Sequence, residues 1–600
     1  MYYYNPWNLD YKQPFGAIKV GNSMNLSFTT DRPSVLVTCV IRRDFGKRYE
    51  FSMTKDSGGN FRVTIPFDEE SGLYFYHFEI VESSDLGETR RFYGCSGIGG
   101  EGLLYTDEND VKPYQLTVFE KEDQAPSWYR EAVFYQIFPD RFYNGNENGQ
   151  INHPKPNSFI YGRKTDSPFY VKEENGDIAR WDFFGGNLRG IIKKIPYLKE
   201  LGINAIYLNP IFSGTSNHRY DTNDYLKIDS MLGRQEDFEE LIQLLHQEKM
   251  HLILDGVFSH VGKNSLYFNI NGDYGDDEGA AKNPDSPYFD WFKFENYPFE
   301  YKSWWGIKDL PEIDKDNDSF RNFIYGEKNS VLAKWNDLGI DGWRLDVADE
   351  LPDSFIKGIR ENLDSYSDKI LIGEIWEDAS NKISYGKRRN YILGGSLQAA
   401  MNYPFRDLII NLLNGHRSSQ DVAHQLMTLQ ENYPKDIFYN NLNNLGTHDT
   451  ERILTMIGEK NLSVALAMLF VLPGIPCIYY GDEAGLSGGK DPENRKYFPW
   501  DNISPNVYNV YKSWTQKRLS ENSLKYGEFS TFFTDRLLGI LRYTDSEVFV
   551  ELINPSEDEL NIEVQEITFL QNLKFLPELK KLLTEKVISG KTNLELKMKI

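Results

Sequence analysis

The first part of the chain alternates short apolar runs with segments rich in turn-forming residues. The apolar runs are SVLVTCVI (34–41), FRVTIPF (61–67) and LYFYHFEIV (73–81). Segments such as DSGGN and DEESG separate them, and runs of this length between Gly, Asp and Ser residues predict antiparallel strands. We therefore predict an N-terminal β-sandwich over residues 1–124.

The pattern changes at Ala132, after which short apolar strands alternate with amphipathic helices. Within 188–201, Leu188, Ile191, Ile195 and Leu198 recur at helical spacing. Eight segments have the length and apolar content of buried strands: AVFYQIF (132–138), AIYLNP (205–210), HLILDGVF (251–258), DGWRLDV (341–347), KILIGEIW (369–376), a run near 396–401, NNLNNLG (440–446) and IPCIYYG (475–481). Strands that alternate with helices in this number predict the fold class α/β and a (β/α)8 TIM barrel over residues 125–525.

Two further regions interrupt and follow this barrel. A Gly-, Asp- and aromatic-rich excursion over 259–315 comes after the third strand, and we predict an inserted domain there. The runs RLLGILRY (536–543) and VFVELINP (548–555) predict a C-terminal β-domain over residues 526–600.

The net charge of the chain argues against polyanionic binding partners. The chain has 66 Lys and Arg residues against 89 Asp and Glu, which gives a formal net charge of −23. A surface this acidic repels nucleic-acid phosphates and anionic lipids, so a neutral substrate is the simplest partner. Aromatic residues make up 14% of the chain, which suits stacking on sugar rings and equally suits a well-filled core.

The three cysteines, Cys39, Cys95 and Cys477, are far apart, and the chain has no CxxC pair. This pattern is typical of buried reduced thiols and not of a disulfide framework or a metal site. The first residues show no basic region followed by an apolar run, and no apolar stretch reaches the length of a membrane span. We therefore expect a cytoplasmic protein.

Candidate chemistry gathers where the predicted barrel strands end. The strands of a TIM barrel direct their carboxyl ends into one mouth, so the polar residues at those ends meet there. The polar residues at the ends of strands three, four, five and seven are Asp255 and His260, Arg344 and Asp346, Glu374, and His448 and Asp449.

This set of side chains suits glycoside hydrolysis, which uses a pair of carboxyl groups. Arg344 and Asp346 are two residues apart on one strand, so they face the same side, and the guanidinium is expected to keep Asp346 ionised as a nucleophile. Glu374 needs a raised pKa to act as an acid, and Asp449 is expected to raise it. Two alternatives stay open: ion pairs that only cap the strands, and a metal site, for which HxH, HExxH and cysteine spacings are missing.

The segments DGVFSH, GWRLDVADE, GEIW and LGTHD resemble the four signature motifs of glycoside hydrolase family 13, the α-amylase family. The resemblance extends to VFYQIFPDRF, AIYLNPIF, SNHRYDTNDY, PGIPCIYYGDE and GGKDPENRKYFPWD, over residues 130–505. The N-terminal β-domain is similar to the family 34 carbohydrate-binding module. This combination resembles the neopullulanase, cyclomaltodextrinase and maltogenic amylase subgroup.

The resemblance implies a role for each matched position. Asp346 would be the nucleophile, Glu374 the general acid/base and Asp449 the stabiliser of the transition state. The other matched positions would bind the substrate: His260, Arg344 and His448 at the cleavage point, Tyr220 stacked on the ring, Asp491 and Arg495 on the next glucose, and Trp376 on the acceptor side. As alternatives, Tyr220 and Trp376 serve only packing, and Asp491 with Arg495 forms only a surface ion pair.

The resemblance implies no required cofactor, but it raises the question of calcium. Asn144, Asn146, Asn148, Gly185 and Asn187 fall near the positions of a calcium site in the subgroup. Calcium prefers several carboxylates, so a neutral turn cluster is the alternative. In addition, Ser259 stands where classical α-amylases have an asparagine that binds calcium.

Two segments depart from the subgroup's pattern and bear on substrate preference. Asp349 replaces the asparagine of Val-Ala-Asn-Glu, and 310–314 reads LPEID where Met-Pro-Lys-Leu-Asn is usual. We expect hydrolysis of α-1,4 bonds in maltooligosaccharides, cyclodextrins or pullulan, together with transglycosylation. An oligo-1,6-glucosidase or α-glucosidase of the same family, and a barrel that only binds glucan, stay open as alternatives.

The N-terminus carries Tyr2, Tyr3, Tyr4 and Trp7 with no apolar core pattern around them. These aromatic residues either pack on their own sandwich or meet a second subunit. The resemblance implies a homodimer in which this domain covers the partner's barrel mouth, and hence a preference for cyclodextrin over amylose.

Overall fold

The computed structural model of the protein describes residues 1–32, 34–68, 70–85, 87–174 and 176–600. The N-terminal strands are β1 (Tyr2–Tyr3), β2 (Lys12–Gln13), β3 (Ile18–Lys19), β4 (Ser23–Thr30), β5 (Val35–Arg43), β6 (Arg48–Ser52), β7 (Thr54–Lys55), β8 (Phe61–Pro66), β9 (Gly72–Ser84), β10 (Gly87–Cys95), β11 (Gly102–Tyr105) and β12 (Tyr114–Phe119). The central strands are β13 (Phe134–Ile137), β14 (Phe159–Ile160), β15 (Val171–Lys172), β16 (Ile178–Arg180), β17 (Asp182–Phe183), β18 (Ala205–Leu208), β19 (Phe212–Gly214), β20 (Thr222–Ile228), β21 (His251–Gly256), β22 (Phe294–Asn296), β23 (Glu300–Tyr301), β24 (Gly342–Leu345), β25 (Ile370–Gly373), β26 (Ile383–Ser384), β27 (Lys387–Arg388), β28 (Ala399–Ala400), β29 (Leu442–Asn444) and β30 (Ile475–Tyr479).

The helices of the central region are α1 (Ser127–Arg130), α2 (Pro139–Phe142), α3 (Leu188–Leu201), α4 (Gln235–Gln247), α5 (Asp318–Tyr325), α6 (Val331–Asp337), α7 (Asp353–Leu363), α8 (Tyr403–Leu413), α9 (Ser419–Asn432), α10 (Lys435–Asn440), α11 (Ile453–Ile457), α12 (Leu462–Val471), α13 (Pro505–Ser520) and α14 (Asn522–Tyr526). The C-terminal elements are β31 (Glu528–Phe533), β32 (Leu538–Tyr543), β33 (Glu547–Asn554), β34 (Leu560–Asn561), β35 (Thr568–Phe569), α15 (Leu576–Leu583), β36 (Val587–Ile588) and β37 (Thr592–Lys599). None of the helices built from the described residues has the length and apolar character needed to span a bilayer.

The N-terminal strands form two facing sheets, which confirms the predicted sandwich. One sheet has the order β1-β4-β8-β7 with β2 added to β4. The other has the order β11-β10-β9-β12-β3, with β5 added to β9 and β6 added to β5. Their pairings are antiparallel apart from that of β12 with β3. A core of aliphatic and aromatic side chains lies between the two sheets.

The central strands form the predicted barrel. Eight parallel strands follow one another in the order β28-β25-β24-β21-β18-β13-β30-β29. A parallel bridge between Met401 and Leu442 joins the two ends, so the sheet closes on itself. All residues of these strands except His251 are buried, since side chains fill the barrel inside and helices cover it outside.

The helix α3 shows how local sequence sets the elements around the barrel. Asn187 caps its start by accepting a hydrogen bond from the Gly190 amide. Gly202 ends it in the left-handed conformation at a φ of 91°, which a residue with a Cβ adopts only under strain. The predicted bounds of 188–201 are those of the structure.

The C-terminal strands form an antiparallel sheet in the order β35-β31-β32-β33-β37, with α15 packed against it. Within the excursion that follows β21, the short strands β22 and β23 pair with each other. The division at residues 124 and 525 stays a prediction, and the three sets of strands lie on either side of those positions.

The structure decides the alternatives left open for two N-terminal aromatic residues and corrects the expectation for one cysteine. Tyr4 lies in the sandwich core, and Trp7 packs against the barrel, where its indole donates to Glu431 at 2.9 Å. These two rings are therefore not available to a second subunit. Cys39 and Cys477 are buried free thiols as expected, but Cys95 is only partly buried because it lies at the end of β10.

Candidate active site

The carboxyl ends of the barrel strands open into a cleft with a volume of about 740 Å³. Nine of the residues expected at the site line this cleft: Tyr220, His260, Asp346, Glu374, Trp376, His448, Asp449, Asp491 and Arg495. Arg344 and Asp255 are fully buried beneath them. Because these residues come from separate strand ends and loops, the barrel itself brings them together.

Arg344 lies at the base of the cleft and contacts three carboxyl groups. One terminal nitrogen donates to Asp255 Oδ1 at 2.7 Å and to Asp346 Oδ1 at 2.9 Å. The other forms an ion pair with Glu374 Oε2 at 2.9 Å. One guanidinium therefore fixes Asp346 and Glu374 side by side and leaves Oδ2 of Asp346 toward the cleft.

Two other donors orient Glu374. The amide of Val347 donates to Oε2 at 2.7 Å, and the indole of Trp376 donates to Oε1 at 3.0 Å. Val347 has a φ of 36°, which is a strained conformation for a β-branched residue. This backbone turn, directly after Asp346, lets the amide reach Glu374.

The carboxyl groups of the cleft share a small number of positive charges. Burial raises the pKa of Asp346 well above its ordinary value, and Arg344 only partly opposes this effect. Burial, together with the charge of Glu374, raises the pKa of Asp449 to about 7. Burial thus opposes the effect expected of Arg344, which lowers the pKa of Asp346 and so favours its ionised form. The group holds protons as a unit.

A chain of hydrogen bonds sets the tautomer of His448. Gln136 Nε2 lies 2.9 Å from His448 Nδ1 and, as a donor, requires that nitrogen to be unprotonated. Burial and Arg495 lower the pKa of His448, so the ring is neutral and its proton is on Nε2. That nitrogen lies 2.6 Å from the Tyr220 hydroxyl and 3.1 Å from Asp449 Oδ2.

His260 presents one free polar atom to the cleft. Its Nδ1 lies 2.7 Å from the Ser259 hydroxyl, whereas Nε2 is buried and has no hydrogen-bond partner among the described residues. Burial lowers the pKa of His260 to about 3, so the ring is neutral. A buried nitrogen without a partner is costly, and a substrate hydroxyl would satisfy it. Ser259, at the position of a calcium ligand in classical α-amylases, here orients the histidine.

Asp491 and Arg495 form an ion pair of 3.0 Å at one end of the cleft. The hydroxyl of Tyr170 donates to both oxygens of Asp491, at 2.7 and 2.8 Å. The other side of the Arg495 guanidinium lies 3.6 Å from Asp449 Oδ1. The pair is thus part of the cleft wall and continuous with the acidic group, and not an isolated surface pair.

Aromatic side chains that the motifs did not identify also line the cleft: Tyr170, Trp181, Trp304, Trp305 and Tyr385. Trp305 and Tyr385 are 75% and 72% exposed, and both bind the carboxylate of Glu350. They come from loops of different length, so spacing in the sequence gave no signal. For Trp304 and Trp305, the one sign in the sequence was the aromatic content of the excursion over 259–315.

The two acids of 310–314 lie outside the cleft wall, whereas Leu310 of the same segment lines the cleft. Glu312 binds Lys302 and Lys315, at 2.9 and 2.8 Å, and Asp314 binds Lys293 at 3.1 Å. Neither acid is among the described residues that line the cleft. The added charges are neutralised by lysines, so the segment changes the acceptor side less than its sequence implies.

The amide cluster after strand one does not fit calcium. The side-chain oxygen of Asn144 accepts from the Asn146 amide at 2.9 Å, and that of Asn187 accepts from Gly145 at 3.0 Å. The side-chain oxygens of Asn144, Asn148 and Asn187 thus already accept hydrogen bonds from backbone amides, and no carboxylate belongs to the set. No group of three or more His, Cys, Asp or Glu side chains in the described part of the chain is placed to hold a metal ion.

Comparison with known proteins agrees with this geometry. Residues 136–524 match the model of the α-amylase catalytic domain. The chain is 35% identical to an amylopullulanase of Thermoanaerobacterium saccharolyticum, over 94% of this chain and 49% of that protein. It is 33% identical to a cyclomaltodextrinase of Thermoanaerobacter pseudethanolicus, over 87% of this chain and 89% of that protein. The chain thus spans about half the length of the first of these relatives.

A solved structure shows the same architecture. The cyclic α-maltosyl-(1→6)-maltose hydrolase of Arthrobacter globiformis superposes with a TM-score of 0.67 at 27% identity. The match covers 79% of this chain and all of that one.

Proposed function

The chain belongs to the α-amylase family, and on that premise we propose that it is a retaining glycoside hydrolase acting on α-1,4-linked glucose oligomers. The observation that carries the proposal is the contact of Arg344 with both Asp346 and Glu374 at the base of the cleft. Glycoside hydrolases use a pair of carboxyl groups for catalysis, one on each side of the bond that is cleaved.

In the first step, Oδ2 of Asp346 attacks the anomeric carbon, since Arg344 holds Oδ1. Glu374 gives its proton to the glycosidic oxygen, and the bond to the leaving sugar breaks. Val347 and Trp376 donate hydrogen bonds to Glu374 and Arg344 pairs with its Oε2, so these three groups orient the carboxyl group at the cleft wall. The product is a glucosyl ester of Asp346.

In the second step, Glu374 takes a proton from water, and the water oxygen displaces Asp346 from the anomeric carbon. Two inversions return the α configuration. Oδ2 of Asp449 and Nε2 of His448 lie 3.1 Å apart in the cleft, so a carboxyl acceptor and an imidazole donor can contact the same sugar. A second sugar in place of water would give transglycosylation.

The proposed substrates are maltooligosaccharides, cyclodextrins and pullulan. Exposed Trp305, Trp376 and Tyr385 offer aromatic faces along the cleft, which suits the apolar faces of glucose rings. The deciding experiment compares the products from pullulan, cyclodextrin and starch under the same conditions. Panose from pullulan supports cleavage of α-1,4 bonds, and isomaltose-type turnover alone would overturn this choice in favour of an oligo-1,6-glucosidase.

A barrel that only binds glucan would need a defect in its acids. Asp346, Glu374 and Asp449 all line the cleft, so the proposal predicts turnover of a chromogenic maltoside. Binding of maltooligosaccharides without any turnover would favour the binding-only alternative.

The proposal extends to assembly and location. We propose a homodimer formed through the sandwich, whose exposed apolar side chains include Leu36 and Phe45, 70% and 82% exposed. Light scattering on the full chain and on Phe45→Ser tests it, and a monomeric full chain would contradict it.

The free thiols Cys39 and Cys477 support a cytoplasmic location, where thiols stay reduced. Calcium is proposed to be dispensable.

A further inference from the structure

A second cavity lies where the sandwich, the barrel and the C-terminal sheet meet. Its volume is about 370 Å³, within the range of about 300–1,000 Å³ for small-molecule sites. Its wall includes Phe15 from the sandwich, Gln430 from α9, and Tyr543 and Gln571 from the C-terminal elements. It shares no described residue with the catalytic cleft. It lies beside α10, which leads into the amino end of β29, and so at the face of the barrel opposite the cleft.

Two amide oxygens in this wall have no partner. Gln430 is oriented by its nitrogen, which donates to the Phe529 carbonyl at 3.2 Å, and this leaves Oε1 as the free end. Oε1 of Gln430 and Oε1 of Gln571 are both buried and have no hydrogen-bond partner among the described residues. Buried acceptors of this kind are normally satisfied, so two of them in the wall of one cavity point to a ligand that donates.

The rest of the wall restricts the chemistry of that ligand. The charged residues are Asp10, Lys435 and Glu528, of which Lys435 and Glu528 pair at 2.5 Å. The remaining negative charge disfavours an anion. Phe15, Leu9 and Tyr543 add apolar and aromatic surface. A neutral molecule with hydroxyl donors and an apolar face satisfies all of these features, and a sugar ring has both.

We propose that this cavity, the junction site, is a non-catalytic binding site for a glucose unit of an α-glucan. Hydroxyls of the sugar donate to Oε1 of Gln430 and Oε1 of Gln571, and its apolar face lies against the aromatic wall. The choice of glucan as the sugar rests on the proposed function, whereas the site itself does not. An α-glucan bound at both the junction site and the cleft would be held at two points.

The test counts maltose sites on the full chain by equilibrium dialysis. Asp346→Asn serves as the background in every sample, so that maltose is not turned over. Two sites per chain are expected. Gln571→Leu should weaken one of them about fivefold or more, because it removes an acceptor but no protein hydrogen bond of that oxygen. Gln571→Glu keeps an acceptor at the same place and should restore the binding.

Gln565→Leu is the matched control, since Gln565 is an exposed amide of the same C-terminal region outside the cavity. A single maltose site that Gln571→Leu leaves unchanged would overturn the proposal and assign water to the two oxygens. Equal losses in Gln565→Leu and Gln571→Leu would also overturn it. Thermal melting of each variant shows whether it is folded.

Turnover of a chromogenic maltoside by the chain with Asp346 intact separates this proposal from the proposed function. Turnover without any binding that depends on Gln571 leaves the function standing and removes the junction site. Binding that depends on Gln571 in a chain without turnover leaves the junction site standing and removes the function.

Discussion

The hydroxyl of Tyr220 lies 2.6 Å from Nε2 of His448, and the two rings are nearly parallel, with an angle of 7°. This contact depends on a proton that Gln136 keeps on Nε2 by donating to Nδ1. Replacing Gln136 by Glu would supply an acceptor instead of a donor and move the proton to Nδ1.

We expect Gln136→Glu to lower kcat/KM about tenfold, which is the effect of losing one or two hydrogen bonds at the sugar. Nitrogen NMR of His448 should show the exchanged tautomer. Gln136→Leu, which leaves Nδ1 without either kind of partner, serves as the comparison. An unchanged tautomer in Gln136→Glu would refute the role given to Gln136.

Asp346→Ala should reduce hydrolysis by about 10³-fold or more, because no covalent intermediate can form. The first product of the unchanged enzyme should have the α configuration, as proton NMR of an early sample would show. Asp309→Asn is a suitable control, since Asp309 lines the cleft but pairs with Lys263. An initial β product would exclude the two-step mechanism.

Glu374→Gln should abolish most hydrolysis of natural oligosaccharides, whose leaving groups need a proton. The same variant should keep much more of the first step with maltosyl fluoride, whose leaving group needs little acid assistance. Rates for the two substrates are compared by single-turnover kinetics. If both rates fall to the same extent, Glu374 is not the acid.

Asp449→Asn should change how stability depends on pH. The folded pKa of Asp449, about 7, lies above the ordinary value, so the folded state binds this proton more tightly than the unfolded state. The carboxyl group therefore reduces stability as pH rises from about 4 to about 7, and has a constant effect above that. The Tm of Asp449→Asn minus that of the parent should rise over this range. A difference that grows toward acid pH would contradict the pKa direction.

Removal of calcium should leave the protein nearly unchanged. The oxygens of Asn144 and Asn187 are occupied by the loop itself, and Ser259 binds His260. A chelator is therefore expected to shift Tm by less than about 2 °C, a small change for a chain of this size. A large fall that calcium alone restores, with magnesium as the control ion, would show that a calcium site forms.

The sequence allowed the fold and the inner part of the site to be predicted, because both depend on local periodicity. The spacing of Arg344 and Asp346 on one strand placed them on the same side, and the structure has them 2.9 Å apart. The bounds of α3 followed from its apolar stripe and from its caps at Asn187 and Gly202.

The outer part of the site could not be predicted in this way. Trp305 and Tyr385 meet at Glu350 only because the excursion after β21 and the turn between β26 and β27 fold over the same edge of the barrel. The raised pKa of Asp346 comes mainly from burial, which a sequence shows only in outline. The sequence left the packing of Tyr4 and Trp7 open because their partners lie on β9 and α9, far along the chain.

Glu431 belongs to the barrel helix α9, yet its two oxygens are taken by Trp7 and by the fully buried Lys12 of the N-terminal region. A protein engineer who exchanges this sandwich for another module would leave a buried carboxylate without either partner. Removing one partner of a buried ion pair destabilises a protein by about 3–5 kcal/mol. The exchange of domains is therefore expected to succeed only if Glu431 is substituted at the same time. If domains were exchanged between barrels during evolution, the N-terminal region and α9 would have to be inherited together.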